Sequence, residues 1–477
     1  MSAAFRFKKI NSTNHFFEYL LIGISSTLLG IWAVKDTIAL RNILLGTGFI
    51  LGISYICSIY KQEVFKDIQF KEWLPIIFMA MMLIWILTHF FFFSRFPEVQ
   101  LQELKSTWFR SFLAMIVGIS TGLALQKNTK LMNTLWLGVG LSFLYLIFQY
   151  IPRAYATKNF FAVDWNGGYY IYIGKVNGVL MGTILFCGLG STWIDKLRAK
   201  DFAMSFTNTF LPLLGMALTL YAYAFIFDTR NGLGVSAILV LAWIIYLAIW
   251  ILSQGNLKKL LPRLKGVLLL GVLIIGIFSW ISYQHTQHNS GWSTIIEDAR
   301  IAAQLERYPN WQNTKKQGFP KTDTGREVSG NTYERVAWAK AGLRLIPENM
   351  LGVGVLAKPF NRLLQEGYPG ATPLSTHSAW IEFTLAFGLP GFIFMFGSLV
   401  AILYLTVSSP NFYFRVRVTS LVLTLMLLYT VGELSTQHGV EVLFYVIALL
   451  AGLSLPLHGS VSGISRLGSS LQLSSDD

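Results

Sequence analysis

Three short segments combine arginine, histidine and helix-opening sequence in ways that suit an anionic substrate and a proton transfer. The first is Asp228-Thr229-Arg230-Asn231-Gly232. It forms a tight turn ahead of an apolar run, so Arg230 falls at a helix N-terminus. Free N–H groups there carry positive partial charge, and a guanidinium beside them makes a phosphate seat. The plainer alternative is an interfacial arginine paired with Asp228. The second segment runs from Tyr333 to Gly342. At about 100° per residue, Arg335 shares a helix face with Trp338, Ala339, Gly342 and Ile346, while Lys340 and Arg344 fall opposite. Amphipathic helices turn charge away from the packed face, and buried charge is costly without a partner. Arg335 therefore calls for an ion pair, with Glu334 or Glu382 as candidates, or for a ligand anion.

The third segment, Ser375 to Glu382, opens an apolar run. His377 is expected in the first turn of that helix, where the positive dipole end disfavours imidazolium. A neutral imidazole suits a general base; ordinary helix capping is the alternative. Lys175, in Gly174-Lys175-Val176-Asn177, sits near the end of another run. It can add a phosphate contact or simply snorkel to the interface. His285 and His288 lie in a polar stretch and read as solvated. The loops on this side hold no D-x-D motif and no His and carboxylate cluster at metal spacing. A G-x-x-x-x-G-K-S/T loop is also absent. No metal, nucleotide or other cofactor is expected, and arginine has to neutralise any leaving phosphate.

The elements that position these residues are membrane helices. Of 477 residues, 53% are hydrophobic and only 13% charged, against about a quarter charged in soluble domains. Apolar runs near twenty residues match the hydrocarbon thickness, and lipid leaves helices as the default spanning structure. About twelve spans are expected, near 16–34, 42–60, 73–94, 107–125, 131–151, 169–194, 209–227, 232–253, 264–284, 378–406, 417–434 and 439–457. The fold class is thus all-α and polytopic. Residues 1–284 hold helices one to nine and 285–377 one large loop, with helices ten to twelve in 378–457 and a tail in 458–477. Within the loop, Ser293 to Arg307 and Thr332 to Ile346 read as helices flanking an irregular lobe. Cys57 and Cys187 fall in apolar runs and read as inert core residues.

The net charge of +14 does not indicate nucleic acid, because the basic residues occupy short loops between spans. Lysine and arginine are denser on the side of Lys61, Lys196, Lys258 and Arg415, which puts both termini in the cytoplasm and residues 285–377 outside. Arg230, Arg335 and His377 then share the outer face.

Taken together, the three segments resemble the O-antigen ligase and polymerase superfamily. The resemblance rests on Thr229-Arg230-Asn231-Gly232, on Arg335 and Trp338 followed by Pro347, Gly352 and Gly354, and on His377 with Gly388 and Gly391. It covers roughly residues 228–395. One large loop between spans nine and ten is most similar to the lipopolysaccharide O-antigen ligases. The resemblance implies transfer of O-antigen from undecaprenyl pyrophosphate to lipid A–core at the periplasmic face of the bacterial inner membrane, with inversion and without metal or nucleotide. It implies that Arg230 and Arg335, with Lys175 in support, hold the pyrophosphate and that His377 is the base. Membrane lipids surround the spans. Alternatives are an O-antigen polymerase, an O-linked oligosaccharyltransferase, or a non-enzymatic transporter of lipid-linked sugars. Few charges fall in mid-span, which weakens the transporter reading.

Overall fold

The computed structural model describes residues 2–62, 64–65, 68–158, 173–198, 209–253, 271–272, 275–287, 292–409 and 414–457. Nine helices among these are long and apolar enough to cross a membrane. The chain is a multi-pass membrane protein, and its described elements are helical apart from turns and isolated bridges.

The helices follow the apolar runs. Helix α1 is Ser2–Trp32, α2 Ile38–Tyr60 and α3 Phe70–Phe92. A short α4, Pro97–Glu103, passes through a π-helical turn into α5, Phe109–Lys127. Then come α6 Met132–Ala156, α7 Lys175–Arg198, α8 Leu211–Tyr221 and α9 Arg230–Ser253. Apolar helix continues from α8 through Ile226, but Leu211–Ile226 is shorter than a full span. The expected span 264–284 lies partly outside the described residues; 275–287 are helical. The tail 458–477 lies wholly outside them.

The loop segment carries α10 Ile295–Ala302, α11 Gly330–Leu345 and α12 Pro359–Gly367. Helix α10 is shorter than the expected Ser293–Arg307. The membrane helices resume as α13 Ala379–Ser408, α14 Arg415–Val431 and α15 Gln437–Ser454. Small residues let some of these helices pack at backbone distance. A Cβ added at Gly122 of α5 would lie 2.3 Å from the Leu449 carbonyl oxygen of α15. Cys187 is buried as expected, whereas Cys57 is exposed on α2. An apolar run does not say which face of a helix meets its neighbours.

Helix α13 is not one span. Gly388 has φ of +68°, a left-handed value that breaks the helix and that glycine adopts without a Cβ penalty. Thirty helical residues would be about 45 Å long, more than the hydrocarbon core needs. The break leaves a short helix over 379–387 and a span of ordinary length after it. The freed backbone groups are taken up by the loop: Leu389 N donates to Met350 O, Val353 N to Leu385 O and Gly354 N to Ala386 O, at 2.7–3.0 Å. Gly352 and Gly354 both have positive φ and lie against this break. The Gly352-Val353-Gly354 sequence thus docks the loop onto the helix.

The loop has an apolar core of its own, including Trp311, Tyr333, Ala337, Phe360 and Leu364, and Leu385 of the 379–387 helix joins it. Polar ties fix it to the bundle. The Glu103 carboxylate accepts from the amides of Leu356 and Ala357, both at 2.9 Å. Arg95 donates to Asn349 Oδ1 at 3.0 Å. The loop is a cap seated on the end of the bundle where α4, α7, α9 and α13 begin.

Candidate functional site

Two of those helices begin on a site residue. Lys175 is the first residue of α7 and Arg230 the first of α9. Their N-termini face an open pocket of about 360 Å³ lined by Lys175, Asp228, Arg230, Asn331 and Arg335, among others. The turn before α9 is strained at Asp228, whose φ is +45°. Lys175 Nζ donates to the Asp228 carbonyl oxygen at 2.8 Å. This lysine is therefore part of the polar turn and not only an interfacial cation. Asn231 Nδ2 donates to the Val431 carbonyl at 2.6 Å, fixing the turn to the end of α14.

Arg335 reaches the same pocket from the cap. Its Nε donates to Asn331 Oδ1 at 2.6 Å and its Nη1 to Val431 O at 3.0 Å. Val431 O therefore receives both Asn231 and Arg335. Burial pushes the Arg335 pKa below its ordinary value; Glu433 opposes this and Arg230 adds to it. Such a guanidinium still carries its charge. Glu433 exerts a stronger electrostatic hold on Arg335 than Glu334 does. Glu334 accepts from Thr314 at 2.8 Å and Glu382 from the Thr376 amide at 2.6 Å. The ion-pair alternative with one of those two acids gives way to contacts with Asn331 and Val431 and to the field of Glu433.

The same face of α11 meets the His377 segment, as the helical wheel requires. A Cβ on Gly342 would lie 2.5 Å from Thr376 Cγ2, so glycine permits the close approach. The Trp338 ring stacks on His377 with centroids 5.3 Å apart and planes at 18°. Lys340 and Arg344, on the opposite side, contact Ala303 O and Glu306.

His377 sits one residue before the helix cap Ser378 and has φ of +57°. It thus precedes the first turn, where it was expected, and its electrostatic neighbour is a carboxylate. His377 Nδ1 lies 3.1 Å from Glu433 Oε2. The nearby His377 imidazole holds the Glu433 carboxyl below its usual range; burial opposes, and Ser375 and Arg335 assist. A carboxylate beside Nδ1 favours the tautomer with its proton there.

Helix α11 thus carries Arg335 into the cationic pocket and Trp338 onto the histidine, and Glu433 interacts with both Arg335 and His377. Lys175 and Arg230 line the pocket with Arg335; His377 is not part of that lining and connects to it through Glu433 and through Trp338 on the Arg335 helix. Sequence reasoning missed Glu433. Its signal was available: it is the one acid in the short turn Gly432-Glu433-Leu434-Ser435-Thr436 between two apolar runs. His285 was also misjudged. It is buried, between Asp228 and Trp292, and not solvated. His288 lies outside the described residues. Among the described residues no group of three or more His, Cys, Asp or Glu is arranged to hold a metal.

Residues 202–396 match the family model described as O-antigen ligase. Over that stretch the chain is similar to the O-antigen ligase family. The matched stretch takes in the Arg230 turn, the cap and the whole His377 segment through Gly391. Val431 and Glu433, which adjoin Arg335 and His377 in space, lie beyond it. No curated protein matches the chain. The O-antigen ligase family implies a glycosyltransferase-like enzyme acting on lipid-linked glycan and a lipid acceptor.

Proposed function

We propose that this protein transfers O-antigen glycan from undecaprenyl pyrophosphate to a sugar hydroxyl of lipid A–core at the periplasmic face of the inner membrane. The observation that carries this reading is a single helix, α11, that serves both halves of the reaction. Arg335 joins Arg230 and Lys175 around an anion-sized pocket, and Trp338 stacks on His377.

In this mechanism Arg230, Arg335 and Lys175 bind the pyrophosphate of the donor. His377 Nε2 takes the proton of the acceptor hydroxyl as its oxygen bonds to the anomeric carbon. The bond from that carbon to the phosphate oxygen breaks, and undecaprenyl pyrophosphate leaves with the electron pair. Glu433 stabilises the imidazolium that forms, and the cations meet the negative charge on the departing phosphate. Attack opposite the leaving group inverts the anomeric centre. Both substrates are lipid-anchored, which suits a site at the membrane-facing edge of a cap.

The single large cap between the ninth and tenth expected spans favours ligase over polymerase. A deletion strain separates the two. Loss of a ligase leaves long O-antigen on its lipid carrier, whereas loss of a polymerase leaves single repeat units on lipid A–core. Ligation by membranes holding defined donor and acceptor tests the chemistry. The His377→Ala protein should insert normally and form no product.

A further inference from the structure

Asp228 is the one acid lining a pocket that also holds Lys175, Arg230 and Arg335, and it is the residue an incoming phosphate has to contend with. Its side chain is 65% exposed, yet one oxygen is tied down: His285 Nε2 lies 2.9 Å from Asp228 Oδ1. His285 itself is 1% exposed. Its other nitrogen, Nδ1, receives the Trp292 indole N–H at 2.8 Å. Indole is a donor only, so Nδ1 has to accept, and the proton of neutral His285 sits on Nε2. The direction of every hydrogen bond in the chain is then fixed: Trp292 donates to His285, and His285 donates to Asp228. Trp292 and His285 frame the entry to the cap, while Asp228 shapes the turn that opens α9.

We infer that His285 is a positioning residue for the donor site: it holds the Asp228 carboxylate aside so that Lys175, Arg230 and Arg335 can receive a polyprenyl pyrophosphate. This rests on the pyrophosphate reading of the pocket. With His285 in place the Asp228 charge already acts on Lys175 and Arg230; without the imidazole N–H it is drawn onto them more fully. Asp228 is two residues from Arg230, and its own carbonyl already binds Lys175 Nζ. Released from the imidazole, the carboxylate competes more strongly with phosphate for Lys175 and Arg230. Removing the carboxylate charge as well abolishes the competition, which a purely structural role for His285 would not allow.

The test is binding of farnesyl pyrophosphate to the full-length protein in detergent, by titration calorimetry, with ligation kinetics alongside. Losing a hydrogen bond to a charged group predicts roughly tenfold weaker binding for His285→Ala. In ligation the defect should appear as raised KM for donor with kcat nearly kept. Adding Asp228→Asn to His285→Ala should restore binding. His285→Gln, whose amide nitrogen replaces Nε2 as donor, should bind close to wild type and serves if the alanine variant does not fold. Wild-type affinity in His285→Ala, or no rescue by Asp228→Asn, overturns the inference. If Arg335→Ala binds as tightly as wild type, the pyrophosphate reading fails instead. If Arg335→Ala loses binding while His285→Ala keeps it, only the positioning role fails.

Discussion

Replacing Glu433 by glutamine probes the least expected part of the site. The change keeps shape and removes charge. The carboxylate stands 3.1 Å from His377 Nδ1, and that contact is the main reason its pKa is held down. In the resting enzyme the lost contact is that of a neutral imidazole. As the acceptor proton moves onto Nε2, it becomes the contact of an imidazolium. A hydrogen bond to a charged group is worth about 1.5–3 kcal/mol, so kcat should fall roughly 10- to 150-fold. Donor KM should change little, because Arg230 and Lys175 are untouched; Arg335 loses only a through-space attraction. The assay is single-turnover ligation with purified protein, labelled undecaprenyl-pyrophosphate glycan and lipid A–core, at saturating donor. A kcat within about twofold of wild type would refute the claim that Glu433 supports a charge forming on His377.

Other outcomes follow from the same geometry. Arg335→Lys should lose most ligation activity, because one ammonium cannot hold Asn331, Val431 O and a phosphate in a fixed fork; activity near wild type would return Arg335 to a structural role. Gly388→Ala should destabilise the protein by at least about 2 kcal/mol, read as earlier thermal unfolding in detergent, since φ is +68° and the new Cβ would lie 2.1 Å from Met350 O. Glu433 adds a pH dependence of definite sign. Its folded pKa is below the unfolded value, so its stabilisation is complete above about pH 4.5 and is lost as pH falls from there through the folded pKa. Acid unfolding of the wild type compared with Glu433→Gln should show this loss only in the wild type.

Much of the site is written into local sequence. The turn at Arg230 follows from a polar five-residue break between apolar runs. The inward face of Arg335 follows from helical periodicity, because Trp338 and Gly342 share that face and both meet the His377 segment. Partners brought in by tertiary folding were not legible in the same way. Glu433 belongs to a turn distant in sequence from His377, and nothing local says that Gly432 O caps Ala379 N and so delivers its neighbour to the imidazole. His285 looked solvated because its sequence neighbours are polar; its burial comes from Asp228 and Trp292. The helix break at Gly388 had a local sign in Gly388-Leu389-Pro390-Gly391, but hydropathy runs through it without a step. Hydropathy reports the solvent around a segment and not its backbone angles.

The central claim is that one histidine, gripped by Glu433 and Trp338 beside a cationic pocket, activates the acceptor. Its most direct test pairs two readings on His377→Ala: product formed from purified donor and acceptor, and affinity for farnesyl pyrophosphate. The account predicts no ligation product with donor-site affinity unchanged. Ligation near the wild-type rate would contradict it.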